Sequence, residues 1–557
     1  MVIGTRTNEQ KLIKMKNIVF PILLVLACLP VLAQKDTTKN LQLNQVEVIK
    51  AFEANLEEAK KVNVEPSAPE VSPYNPQFKY NITIVPADLK YPDPQIKPLA
   101  MEPDGPFKVN KGYLYAGYGS RNNPSVTAGF HTARKDTYEA GIEANYMSLD
   151  NSKNVPYQKM RNAGLALYGN YMIRENLKVY GKLKTDFNKR YLYHTELNAD
   201  SLYSESQSGR NLTGYNITAG ISNVEPTRYS LNYNLETGVR KLAMTNEDAN
   251  EGGIFASAMA EKLFGQKTVL SVAGKFDYTS FSGNKELSLT LLQLKPVLKT
   301  KIAEITLQGG VHLLSAGSKK GYVFPELMAS YGLAGQKLQV FAGLGQDYFI
   351  NNLTNVSHYN PFVSTRLDSL VNTVFRNYYG GVRGRFSVIT YEARAGWKDV
   401  SSQLFMVNRA SDARVFDMLY DDAGIFYVSG SIDFSISEKM NIGGLLTQNF
   451  FSLSTLPQPW HIQNFQASAY ARYMMLDDRL QLRSDLYLAS GIPYLENSGI
   501  ASKTGSQLDL NLTAEYSIIE KLRVFVSGEN LLNNKYQRWS GYPVAGTNFS
   551  AGVKLLF

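Results

Sequence analysis

The sequence holds one cysteine in 557 residues, Cys28, and it lies near the start of the chain. A disulfide framework is excluded, as is a thiol nucleophile or cysteine metal site anywhere downstream. Histidine is scarce too. His131, His194, His312, His358 and His461 are scattered, with no metal-ligand spacing such as H-E-x-x-H among them. No Ser-centred elbow or paired-acid signature stands out, so no catalytic, metal or cofactor-binding residue is expected, and no enzyme. Long apolar runs are missing as well: after residue 33 nothing approaches the roughly 20 residues a spanning helix requires. Any insertion in lipid must then be by strands, and only a closed barrel of strands satisfies its backbone hydrogen bonds there. The excess of basic over acidic residues is modest, a net charge of +9, and it is spread along the chain rather than clustered. That is not the footprint of a nucleic-acid binder.

What the chain does have is tyrosine, glycine and alternation. There are 35 tyrosines and 42 glycines; the tyrosines suit interfacial girdles, where a ring rests among headgroups with its hydroxyl in water. Residues 1–33 read as a signal peptide, with Lys11, Lys14 and Lys16 ahead of an apolar core from Ile18 to Leu29 and Val31-Leu-Ala33 before the cut. A lipoprotein reading of Val25-Leu-Ala-Cys28 competes, but Leu29-Pro-Val-Leu continues the apolar run beyond it. Residues 34–110 form a different region, periplasmic or lumenal. Ten of the 22 prolines fall between Pro66 and Pro106, a density that forbids a continuous helix or central strand. A short strand is expected there at 78–85.

From Lys111 to Phe557 the spacing predicts an all-β, antiparallel transmembrane barrel of about 22 strands. Upward strands fall near 111–120, 137–147, 176–188, 228–242, 267–281, 301–315, 337–350, 389–400, 439–453, 478–490 and 521–530. Their downward partners fall near 125–135, 161–173, 211–223, 253–264, 286–298, 322–334, 374–387, 423–436, 463–475, 506–517 and 545–557. Segments 401–407 and 414–419 read as a hairpin extending outside the membrane. Downward-to-upward connectors are short, for example Arg174-Glu-Asn, Glu225-Pro-Thr, Phe264-Gly-Gln and Ser437-Glu-Lys, while most upward-to-downward connectors are long. Outer-membrane barrels pair short periplasmic turns with long outer loops in this way.

The faces agree. Leu508, Leu510, Leu512, Ala514 and Tyr516 alternate with Gln507, Asp509, Asn511, Thr513 and Glu515, and Tyr138, Ala140, Ile142, Ala144 and Tyr146 oppose Glu139, Glu143 and Asn145. An unpaired ion buried in a dry core costs several kcal/mol, so the charged face must meet water. Glu139, Glu143, Lys182, Arg483, Asp485, Asp509 and Glu515 are therefore the candidate lumenal charges. By the same parity His312 should face the lumen beside Thr306 and Gln308.

The end of the chain carries a resemblance. Val526-x-Gly-Glu-Asn-Leu-Leu-Asn-Asn-Lys-Tyr536, then Gly541-Tyr-Pro543, Gly546, Phe549, Gly552, Val553 and Phe557, resembles the last hairpin of TonB-dependent outer-membrane receptors. The resemblance implies that the terminal aromatic strand, with Phe549, Val553, Leu555 and Phe557, is the signal read by the barrel-insertion machinery. Leu43-Asn-Gln-Val-Glu-Val-Ile49 is similar to the start of that family's plug domain, yet the proline-rich residues 34–110 are too few to supply a plug of well over a hundred residues. The expected partners are outer-membrane lipid, the insertion machinery, and a periplasmic energy-coupling protein or a lid, plug or envelope protein that closes the lumen. Tyr359, Trp460, Tyr536, Trp539 and Tyr542 are the candidate outer-mouth aromatics, placed to stack on a ligand or to anchor loops. Two functions fit: uptake or passage of a solute across the outer membrane, and a non-transporting scaffold or accessory barrel of an assembly or secretion complex.

Overall fold

The computed structural model describes residues 110–132, 137–199, 203–317, 321–496 and 498–557. The expected signal peptide and proline-rich segment lie outside them. The described chain contains 26 strands, 22 of which form one antiparallel sheet. In chain order these are β1 Gly112–Gly119, β2 Asn123–His131, β3 Tyr138–Asp150, β4 Lys159–Arg174, β5 Leu177–Tyr191, β6 Gly209–Asn223, β7 Leu231–Met244, β8 Ala249–Phe264, β9 Thr268–Ser282, β10 Glu286–Ile302 and β11 Ile305–Ser315. They continue as β12 Gly321–Gln336, β13 Gln339–Phe349, β14 Thr373–Phe386, β15 Ile389–Arg409, β16 Asp412–Ser437, β17 Met440–Leu453, β18 Phe465–Met475 and β19 Leu480–Ala489. The set ends with β22 Gln507–Ile519, β23 Leu522–Glu529 and β26 Asn548–Leu556. The remaining four make two small outer hairpins, β20 Pro493–Leu495 with β21 Ala501–Lys503 and β24 Gln537–Trp539 with β25 Tyr542–Pro543. Each barrel strand pairs with the next, and β26 pairs with β1, Tyr113 opposite Leu556 and Ala116 opposite Val553. The sheet therefore closes on itself and leaves no edge, as an all-strand structure in lipid must.

Period-2 alternation decides the two faces. Leu235, Val239, Ile254, Tyr278, Leu292, Leu294 and Leu298 are exposed on the outside, and so are Tyr138, Ile142, Leu482, Leu486, Leu512 and Tyr516. A contiguous apolar belt of this extent far exceeds the few hundred Å² that soluble monomers tolerate; hydrocarbon, not water, is the solvent that leaves it unpenalised. Opposite parity puts Glu236, Arg240, Asp277 and His312 on the inner wall. His312 is almost wholly buried there, its Nδ1 2.8 Å from the Gln346 carbonyl.

One rim is made of tight turns, such as 265–267, 303–304, 387–388, 438–439 and 520–521, with Gly265 in the left-handed region at φ 61°. The expected three-residue connector at Glu225-Pro-Thr instead runs from 224 to 230. Pro226 has no N–H to extend the ladder. The Asn176 side chain caps the segment by accepting from the Val224 and Glu225 amides, at 3.0 and 2.7 Å.

The other rim carries the long segments 192–208, 350–372, 454–464, 490–506 and 530–547, although five connectors there are short, 120–122, 245–248, 283–285, 316–320 and 410–411. Its loops also contain three short helices that hydrophobic periodicity does not announce, Thr195–Ala199, Glu205–Ser208 and Leu353–Tyr359. β15 and β16 rise past their neighbours. Pairing of β16 with β17 stops at Ala423 opposite Leu453, while β15 and β16 stay paired up to Arg409 opposite Asp412. A register shift between Val400 and Gln403, with Ser402 at φ 55°, marks where this hairpin bends away from the wall.

Candidate functional site: the capped mouth of the barrel

The long loops fold together over the outer rim and bury a hydrophobic core of their own. Its members include Leu353, Val356, Phe362, Val363 and Leu367 from segment 350–372, Met406 and Phe416 from the tall hairpin, and Trp539 and Tyr542 from segment 530–547. Phe281 and Leu289 from the inner wall complete it. Tyr542 stacks on Phe362 with centroids 3.6 Å apart and planes 14° from parallel, and the His461 ring lies over Trp539 at 5.5 Å. Each such side chain contributes about 1.5–3 kcal/mol by leaving water. The cap therefore holds together as a folded unit and not as a set of independent loops.

Segment 350–372 leaves the wall between β13 and β14 and is fastened to the far strands β6 to β10. The Glu251 carboxylate on β8 accepts from the backbone amides of Leu353 and Thr354 at 2.5 and 3.0 Å and from the Thr354 hydroxyl at 2.5 Å. It meets the first turn of helix Leu353–Tyr359, where backbone N–H groups are unpaired and the helix dipole favours an anion; Asn352 supplies the cap on Asn355 at 2.9 Å. Further along, Arg210 on β6 donates to the carbonyls of Pro361 and Val363 at 3.0 and 2.8 Å and pairs with Glu247 at 2.5 Å. Asn284 then exchanges two hydrogen bonds with the Leu367 backbone. The tall hairpin locks the same segment from above: Ser364 N donates to Phe416 O, and Phe416 N to Phe362 O. Segment 530–547 closes the pile, the Tyr542 hydroxyl donating to the Arg414 carbonyl at 2.5 Å.

Burial sets the titration of the cap. Desolvation pushes His461 down to about 4, helped by the nearby Arg538 cation and opposed by the hydrogen bond between its Nδ1 and the Met406 carbonyl. His194 is lowered for the same first cause. Desolvation raises Tyr193 to about 12 and Tyr542 well above its ordinary value. The cap at pH 7 is thus built from neutral rings.

Structures with the same chain path are outer-membrane receptors. The FrpB iron transporter of Neisseria meningitidis superposes with a TM-score of 0.63 over 80% of this chain and 81% of its own, at 11% identity. The siderophore receptor PirA of Acinetobacter baumannii gives 0.64, with 81% of each chain covered and 11% identity. The ferripyoverdine receptor of Pseudomonas aeruginosa gives 0.59, covering 81% of this chain and 72% of its own at 10% identity. The chain has the barrel fold of the TonB-dependent outer-membrane receptors. No family model matches it, and no curated protein sequence does.

Within this barrel the residues singled out from sequence take definite places. Trp460, Trp539 and Tyr542 are buried inside the cap, at 2, 4 and 2% exposure. Tyr359 is half exposed, T-shaped against Trp539 and accepting from the Arg538 guanidinium at 2.6 Å. Tyr536 is partly buried and donates to Asp509 at 3.0 Å. The lumenal charges lie on inner-face parity and are largely paired within the wall. Arg483 meets Asp485 at 2.6 Å, Glu515 meets Arg523 at 3.1 Å and also Lys554, and Glu139 and Glu143 accept from Asn170 and Tyr113. Lys182 stands on β5 between Tyr180 and Lys184 on the same face. The water-exposed Arg483–Asp485 pair contributes at most about 1 kcal/mol, so it makes the wall polar more than it makes it stable, whereas Glu515 is buried between its two cations. Phe549, Val553, Leu555 and Phe557 are exposed on the outer face of the closing strand. Among the described residues no group of three or more His, Cys, Asp or Glu side chains is arranged to hold a metal ion.

The residues that fasten the cap, Glu251, Arg210, Glu247 and Asn284, were not singled out by sequence reading. Their parity marks Glu251 and Arg210 as lumenal, but the partners of Asn284, Glu251 and Arg210 in segment 350–372 lie 83 to 153 residues away along the chain.

Proposed function

We propose that the protein is an outer-membrane receptor-type barrel that admits a solute across the outer membrane, with the loop cap as its external gate. The observation that carries the reading is the way segment 350–372 is hung: it is held across the mouth by side-chain hydrogen bonds to Glu251, Arg210 and Asn284 and by packing on Phe281 and Leu289, and none of these side-chain contacts belongs to the strand ladder that closes the barrel. A gate must be separable from its frame. The similar structures, an iron transporter and siderophore receptors by description, support a solute-passing role and make a metal chelate one solute to try. Residues 34–110, or a separate plug or lid protein, would close the inner side, and a periplasmic energy-coupling protein would drive release. The closing strand, with Phe549, Val553, Leu555 and Phe557, would be the segment read by the insertion machinery.

The test is conductance of the full chain in planar bilayers, compared with a variant in which residues 353–370 are replaced by a short turn. A small or absent conductance that rises on removal of the segment supports the gate. A second reading, a scaffold of an envelope complex, draws on the burial of Trp460, Trp539 and Tyr542 within the cap rather than toward a ligand. Stoichiometric co-purification with envelope proteins, together with electrical silence in both forms, would establish the scaffold instead.

A further inference from the structure

Beneath the cap, the inner wall from β3 to β7 and the underside of helix Leu353–Tyr359 enclose a pocket of about 470 Å³. That is within the range of small-molecule sites. Its floor is the upper lumenal face of β5, where alternation brings Lys184, Asp186, Asn188 and Arg190 onto one side. Two of those four carry a positive charge and one a negative.

The charges near the cap do not cancel. Lys184 meets Asp186 at 3.0 Å. Arg240 at the edge of the pocket is satisfied by Asp277 and Thr279, with its bonds to Asp277 at 2.8 and 2.5 Å. Arg190 is left without a carboxylate among the described residues: its Nη1 donates to the neutral side-chain carbonyl of Asn162. A guanidinium carries five donors and no acceptor, and one amide oxygen engages only part of that fork. Around it Asn145, Asn162, Asn188 and Asn216 line the pocket with amides, and Ser357 and His358 roof it. Gly164 keeps the space open, since a Cβ there would stand 2.5 Å from Asn145 Oδ1 and 3.3 Å from Asp186 Oδ1.

We propose that this pocket is a binding site for a small anionic solute bearing carboxylate or phosphate oxygens, with Arg190 as the charged anchor, Lys184 as a second cation and the asparagine amides reading its remaining polar groups. The planar fork of Arg190 suits two oxygens of one carboxylate or phosphate. The site rests on the solute-passing reading above and gives it a substrate class. Solute held here would lie directly under the segment that must move to admit it.

Titration calorimetry on the full chain in detergent tests this, with citrate, inorganic phosphate and neutral maltose as separate probes. Saturable binding of citrate or phosphate is expected, and whichever is tighter identifies the preferred oxygen group. R190Q and K184Q should each weaken that anion on the order of tenfold or more, R190K should restore only part of it because a point charge replaces the fork, and maltose should respond to none of the substitutions. Retained heat-modifiability on gels shows that each variant is a folded barrel. Absence of saturable anion binding by the native chain, or equal affinity in R190Q, overturns the site. Anion binding with electrical silence keeps the site and removes the gate; conductance that rises on removal of residues 353–370 while citrate ignores Arg190 does the reverse.

Discussion

Replacing Glu251 by glutamine should unlatch the cap while leaving the barrel whole. The carboxylate is 1% exposed and accepts three hydrogen bonds from Leu353 and Thr354. Glutamine keeps the size but has one acceptor oxygen in place of two and no charge to set against the helix terminus. At least one backbone N–H then loses its partner, and the –NH₂ group faces other donors. A hydrogen bond to a charged group is worth about 1.5–3 kcal/mol, and a buried donor left unsatisfied costs about 1–3 kcal/mol. A loss of about 2–4 kcal/mol in cap docking follows, which is roughly 30- to 1,000-fold in the ratio of closed to open cap. Hydrogen-exchange mass spectrometry of segment 350–372 reads that ratio directly, because amides released from the wall exchange in proportion to the open population. Protection should fall by about the same factor in 350–372, while peptides from β7, β8 and β9 stay protected. Unchanged protection in E251Q would refute the claim that this carboxylate holds the cap. Loss of protection through the wall strands would show instead that cap and barrel melt together.

The remaining expectations follow from the same geometry. W539A removes the ring that packs on Tyr359, Phe416 and His461 and should cost the cap about 3–5 kcal/mol, visible as faster protease cleavage of the outer loops with gel heat-modifiability retained. His461 is held down at about 4 from an ordinary 6.5, so below pH 6.5 the released chain binds a proton that the docked chain refuses. Cap stability should be full above pH 6.5 and fall by roughly 3 kcal/mol by about pH 4, and H461Q should flatten much of that slope in exchange measurements at pH 7.5 and 4.5. G552V should damage barrel closure. A Cβ at Gly552 would lie 2.1 Å from the Ala116 carbonyl on β1, and with no edge to yield at that seam the variant should lose the separate band that a closed barrel gives before heating and run as the heat-unfolded chain in both samples.

Period-2 alternation made the barrel legible because each strand must face lipid on one side and water on the other; the outer rows Tyr138 to Tyr146 and Leu508 to Tyr516, the lumenal parity of Glu515 and His312, and the count of 22 all follow from that single constraint. The tall β15–β16 hairpin was expected from segments 401–407 and 414–419, which extend past the length a membrane needs, although the apolar run Leu404-Phe405-Met406-Val407 breaks the alternation there. Turn chemistry explains the connector at 224–230, where Pro226 interrupts a ladder that alternation alone would have extended. The cap obeys no period. Its core draws Leu192, Phe281, Phe362, Phe416 and Tyr542 from segments hundreds of residues apart, and only closure of the barrel brings those segments to one rim. Composition can say that Trp460, Trp539 and Tyr542 sit in outer loops; whether such rings face a ligand or one another depends on which loops meet. That was decided by tertiary structure, because a barrel fixes strand neighbours by sequence order but leaves its loops free to pack wherever their apolar faces find cover.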